Sequence, residues 1–146
     1  MQSPDMVAYD WAMATLLAHI TVNPGCEARF ETIARTLHER THSLETGVVR
    51  YEYWRGAIPG TYYTLLSFSD HRAFIAHQTS DHHEVASPQL GELVADIRLE
   101  WVDPIGGAGD LGPTGTQAAP TDADELTERY TARFAADVAD WWLALR

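Results

Sequence analysis

Val48-Val49-Arg50-Tyr51-Glu52-Tyr53-Trp54-Arg55, then Gly56-Ala57-Ile58-Pro59-Gly60, then Thr61-Tyr62-Tyr63-Thr64-Leu65-Leu66-Ser67-Phe68: two runs rich in β-branched and aromatic residues flank a short loop bounded by glycines, which is the pattern of an antiparallel hairpin. Upstream, Leu16-Leu17-Ala18-His19-Ile20-Thr21-Val22 reads as a strand closed by the turn Asn23-Pro24-Gly25. Between that strand and the hairpin, Phe30, Ile33, Ala34, Leu37 and Leu44 recur at helical spacing with Arg35, His38, Glu39 and His42 opposite, and Gly47 offers a stop. Downstream, Ser69 or Asp70 can cap a second helix that ends in Ala76-His77-Gln78-Thr79-Ser80-Asp81-His82-His83. Ala73, Phe74 and His77 share one face of it, which turns His77 toward the sheet. Leu90 to Val94 continue helically after Pro88, and Ile97, Leu99 and Trp101 alternate with Arg98 and Glu100 in a last strand ended by Asp103-Pro104.

The order is βαββαβ, an α+β ferredoxin-like unit: a four-stranded antiparallel sheet with both helices on one face. The other sheet face then needs cover, and a second copy of the chain would close a dimeric α/β barrel.

Charge narrows the partners. Twenty-one acidic residues stand against ten arginines and no lysine, a net charge of −11. Such a field repels phosphate backbones and anionic membrane surfaces, so neither nucleic acid nor a membrane is expected as a partner. An anionic substrate would need Arg50 or Arg98 to face the pocket. The single Cys26 cannot form an internal disulfide, no apolar run reaches membrane-helix length, and Met1 to Asp5 lacks the basic start of a secretory signal. A reduced, cytoplasmic protein is the expectation.

The ends divide from a single domain at 15–105. Residues 1–14 read as an arm. Residues 106–120, rich in Gly, Pro, Ala and Thr, read as a linker unable to bury enough apolar surface to order itself. Thr121-Asp122-Ala123-Asp124 resembles a helix cap, and Leu126, Tyr130, Phe134, Val138, Trp142 and Leu145 predict an amphipathic helix over 121–146 that docks on its own domain or, the favoured reading, across the dimer.

From Leu16 to Ile105 the chain resembles the antibiotic biosynthesis monooxygenase family. The resemblance rests on the first strand ending in Pro24-Gly25, on Tyr51 in strand two, on Phe68-Ser69 opening helix two, on the pair His77 and His82, and on the exit Val102-Asp103-Pro104-Ile105. It implies a homodimeric α+β barrel and oxygenation of a phenolic, quinol or polyketide-like aromatic by O2 without metal, flavin or haem. Haem-degrading relatives carry an asparagine, a tryptophan and a histidine where this chain has Ala18, His77 and Ser87. Anthrone-oxidising relatives carry an asparagine, a tryptophan and a tyrosine where it has Thr64, Phe68 and Phe74.

Cofactor-free oxygenation needs a base to make an electron-rich anion and a dry pocket to protect the intermediates. His77 is the candidate base, since imidazole titrates near neutral pH; its alternative is a core histidine bonded to backbone. The expected substrate-binding set is His19, Trp54, Tyr62, Thr64, Phe68, Phe74 and His82. Thr64 and Tyr62 hold oxygen atoms, and Phe68, Phe74 and Trp54 shape the cavity. His77, Asp81, His82, His83 and Glu84, with His71 nearby, hold metal-ligating atoms, but His77 and His82 are five apart rather than three or four, so no metal is expected. No phosphate-binding glycine loop, dinucleotide fingerprint or serine elbow occurs. Two other readings remain: a noncatalytic barrel that binds a small hydrophobic ligand, and a cyclase or isomerase on the same fold.

Overall fold

A computed structural model describes residues 12–109 and 111–146 of the chain. The elements are β1 (Ala14–Val22), α1 (Glu27–Leu44), β2 (Val48–Arg55), β3 (Thr61–Phe68), α2 (His71–Thr79), α3 (Asp81–Leu93), β4 (Val94–Trp101), α4 (Glu125–Arg133) and α5 (Asp140–Leu143). The strands form one antiparallel sheet in the order β2-β3-β1-β4, so the fold is the expected α+β ferredoxin-like unit.

Alternation along the strands sorts the side chains. Leu16, Ala18 and Ile20 of β1 and Tyr62, Leu66 and Phe68 of β3 are buried on the face that carries α1, α2 and α3, together with Phe30, Ala34, Phe74, Ile75 and Leu93. The other face carries His19 opposite Tyr63 and Arg98. α1 buries Phe30, Ala34, Leu37 and Thr41, a stripe drifting by three and four residues. Leu44, expected in that stripe, is exposed, and Thr41 takes the last buried position.

Gly47 does not cap α1. The helix ends at Glu45 in extended conformation, and Gly47 is small because α2 passes against it: a Cβ there would lie 2.5 Å from the Ala73 Cβ. The expected single second helix is two. Ser80 closes α2 and opens α3, its hydroxyl donating to the His77 carbonyl at 2.7 Å and accepting the His83 N–H at 3.3 Å. α3 then runs through Pro88.

The ends depart further from expectation. Residues 1–11 of the expected arm lie outside the described residues, but Ala14 already belongs to β1 and Met13 bridges Thr114. The expected unstructured linker is a fitted strap. Thr114 is fully buried, donates its hydroxyl to the Val102 carbonyl at 2.6 Å, and donates its N–H to the Asp103 carboxylate at 2.9 Å. Farther on, His71 holds both Gln117 and the Phe134 carbonyl. Side-chain partners for the backbone do here what apolar burial cannot. Within the single chain the tail packs on its own domain: Tyr130 and Phe134 pack on the core, and the Tyr130 hydroxyl donates to Glu84 at 2.8 Å. It is also not one helix. α4 stops at Phe134, and Trp141, expected to be covered, is 68% exposed.

Candidate active site

A cavity of about 610 Å³ lies between the helices and the helix-side face of the sheet, where Leu16, Ala18, Thr64 and Leu66 meet Phe74, His77, His83 and Leu90. Its apolar walls suit a flat aromatic molecule; its polar atoms are few. Four buried side-chain polar atoms lack a protein partner among the described residues, and three of them, Thr64 Oγ1, His77 Nε2 and His83 Nδ1, belong to residues lining this cavity. Buried polar groups without partners are costly and rare, so these three are the atoms at which a ligand or water entering the cavity can bond.

His77 is the best placed of these. α2 presents it inward, 1% exposed, with its ring 5.1 Å from that of Tyr51 and 5.2 Å from that of Phe68. Its Nδ1 lies 2.9 Å from Glu45 Oε2, and the same oxygen meets His82 Nε2 at 2.5 Å. Glu45 carries no free carboxylic proton at neutral pH. Burial raises its pKa, but the hydrogen bonds and charge of His77, and then of His82, outweigh that and hold it below the usual carboxylate range. With the carboxylate accepting from Nδ1–H, Nε2 is the ring nitrogen left without a protein partner.

The two histidines converge because the helix breaks between them. Five residues apart on one helix they would diverge, but the bend at Ser80 swings His82 back to Glu45. Glu45, His77 and His82 also bring one ligand atom each within 4.8 Å of one another, so these are the described residues that could hold a metal ion. As hydrogen-bonded groups they already form a complete triad.

Other titratable groups nearby are unsuited to take a proton. The Tyr51 and Tyr53 hydroxyls pair at 2.7 Å; burial above all holds Tyr51 well above the ordinary phenol value and pushes Tyr53 up to about 12, so both stay protonated. Burial first, then the neighbouring His77 and His82, push His83 down to about 4, leaving it neutral.

Among the expected site residues, Thr64, Phe74 and His77 line the cavity. Phe68 lies beneath His77 and Phe74 as packing. Strand alternation corrects two others: His19 sits on the opposite sheet face, bonded to Glu100 at 3.0 Å, and Trp54 is exposed, donating to Glu52. Tyr62 lines a second space of about 560 Å³ beside α1 and β2, where its hydroxyl donates to Glu31. There Glu31 is engaged by Arg55 and Tyr62. Hydrogen bonds from Arg55, then Tyr62, hold Glu31 at about 2. His82 lies behind His77, on the far side of Glu45. Sequence reading missed Glu45 and treated His83 only as a metal donor; an acid at a helix C-terminus, where the dipole disfavours it, was the available signal for Glu45.

The sequence profile of the antibiotic biosynthesis monooxygenases matches residues 13–89. Among solved structures, one from Caulobacter crescentus, named as a candidate antibiotic biosynthesis monooxygenase, is 24% identical with a TM-score of 0.62, covering 67% of this chain and 94% of its own. A similarly named Nitrosomonas europaea protein is 17% identical with a TM-score of 0.62, covering 73% of this chain and 100% of its own. A Pseudomonas aeruginosa protein is 21% identical with a TM-score of 0.61, covering 68% of this chain and 100% of its own. No curated protein matches the chain. With the profile spanning more than half of its residues, from β1 into α3, the chain belongs to the antibiotic biosynthesis monooxygenase family.

Proposed function

We propose that the chain is a cofactor-independent monooxygenase of a phenolic or quinol aromatic. The observation that carries this reading is His77 Nε2, a buried ring nitrogen without a protein partner, on a residue that lines an apolar cavity and is backed through Nδ1 by the Glu45 carboxylate. His77 takes a phenolic proton, and Glu45 stabilises the imidazolium that forms. The anion passes an electron to O2, and the resulting radical pair recombines at a ring carbon. Loss of water then leaves one oxygen atom in the product: hydroquinone plus O2 gives hydroxyquinone plus water. Thr64 and His83 supply the polar contacts that orient substrate oxygens, while Phe74 and Leu66 exclude water. A second copy covers the outer sheet face, where Trp54 and Tyr63 are exposed.

The test is oxygen uptake by chelator-treated protein with hydroquinones and naphthols under isotopically labelled dioxygen. Uptake with label in the product is expected. His77→Ala should lower kcat by about 10²–10⁴-fold, the range of a general base, and Glu45→Gln should lower kcat with KM little changed. Turnover without label would instead support an isomerase or cyclase. Uptake undiminished in His77→Ala would remove His77 from the chemistry.

A further inference from the structure

The tail supplies part of the cavity wall. Arg133 and Phe134, at the end of α4, line the same space as Thr64 and His77. These residues lie beyond the segment matched by the family profile, and the similar solved chains are spanned in full or nearly so by about two thirds of this one. The tail is fastened beside the cavity by several bonds. Tyr130 donates to Glu84 on α3, the Phe134 ring meets Phe74 edge-on at 6.1 Å, and His71 on α2 holds the Phe134 carbonyl at 2.9 Å.

Arg133 brings a cation to a strongly acidic chain. Its guanidinium lies over the Phe134 ring, 5.0 Å from the centroid, and makes no ion pair among the described residues. The two arginines an anionic substrate would otherwise have needed are ion-paired: Arg50 bonds Glu52, and Arg98 pairs with Glu100 on the outer sheet face. Asp96, the one acid among the described residues lining the cavity, stands opposite Thr21 in register, and β4 alternation turns its side chain to the outer face with Arg98 and Glu100. Among the described residues lining the cavity, Arg133 is therefore the arginine available to a ligand's anionic group. It sits at the rim, while the unpartnered Thr64, His77 and His83 atoms lie deep.

Resting on the function proposed above, we infer that Arg133 is the subsite for an anionic group of the substrate, and that the substrate class is a hydroxylated aromatic carboxylate. Its ring and hydroxyls enter toward His77, and its carboxylate stays at the rim on the guanidinium, whose planar fork suits a carboxylate.

Calorimetric titration under anaerobic conditions separates this from the chemistry. The probes are 1,4-dihydroxy-2-naphthoate and 1,4-dihydroxynaphthalene, which differ by the carboxylate alone. The carboxylate should bind about tenfold more tightly to the unaltered protein, as a charge-assisted contact allows. Arg133→Gln should abolish that preference while the neutral probe binds as before, and Arg133→Lys should keep part of it. Equal affinity for both probes, a preference that survives Arg133→Gln, or binding of neither would overturn the subsite. Retained preference without oxygen uptake would overturn the oxygenase reading and leave the subsite standing.

Discussion

Glu45 sits where a carboxylate is unwelcome. It follows the last turn of an eighteen-residue helix, facing its negative end, a placement costing roughly 0.3–1 kcal/mol. Two imidazoles on its Oε2 offset that cost, and the strain is confined to the residue that positions the proposed base. The same cluster makes stability depend on acid. His83 titrates in the folded chain at about 4 against an ordinary 6.5, so the unfolded chain binds its proton first. Its contribution is complete above pH 6.5 and is lost as pH falls toward 4, by up to about 3 kcal/mol. The lowered Glu45 carboxyl acts in the same sense, adding stability above its unfolded value that is lost at lower pH. Denaturant unfolding across this range should show stability falling with acid, and His83→Phe should flatten the limb between pH 6.5 and 4. An unchanged limb would show that His83 is not the residue resisting protonation. The inward aim of His77 was legible because its spacing from Ala73 and Phe74 follows the helical repeat. Its partner was not, since Glu45 lies thirty-two residues away and meets it only in the fold.

At the scale of elements, two junctions set the geometry, and both were half visible. Ser80-Asp81 followed by Glu84 is an N-cap with an acidic first turn, a start signal inside what reads as one continuous helix. Taken as a second helix start, it brings His82 back toward His77 and answers the five-residue spacing that argued against their meeting. Gly47 was read as a helix stop because glycine commonly ends helices; its φ is not positive, and its role is close approach. Strand faces were legible from alternation, but which face held the cavity was not, which is why His19 and Trp54 fell on the wrong side. The Gly47 contact is directly testable. A methyl group 2.5 Å from Ala73 Cβ forces α2 away from the β2 start, so Gly47→Ala should cost about 1–3 kcal/mol in thermal or denaturant unfolding, the range for overpacking. Because α2 carries His77, kcat should fall along with stability. A variant as stable as the parent would mean that the helices slide apart without loss.

In the whole molecule, a core of family size carries a strap that composition alone assigns to disorder, and two short helices where the apolar spacing predicts one. Composition misleads because ordering here comes from side chains that hold backbone rather than from apolar area. Thr114, Asp103 and His71 satisfy groups that Gly- and Pro-rich segments normally leave to water. His71 is the key to the arrangement. It is buried, accepts the Gln117 N–H at 3.0 Å on Nδ1, and donates from Nε2 to the Phe134 carbonyl at 2.9 Å, so one ring joins the strap to the end of α4. His71→Leu keeps much of the volume and removes both bonds, leaving two buried backbone groups unpaired at about 1–3 kcal/mol each. Hydrogen exchange should then accelerate at the Gln117 amide and through 125–134 while β1 and β3 keep their protection, with a Tm lower by several degrees. The loosened tail should also carry Arg133 off the rim, so any preference for a carboxylated ligand should shrink without an altered affinity for its neutral counterpart. Unchanged exchange at Gln117 would show instead that the strap is held by Thr114 and Asp103 alone.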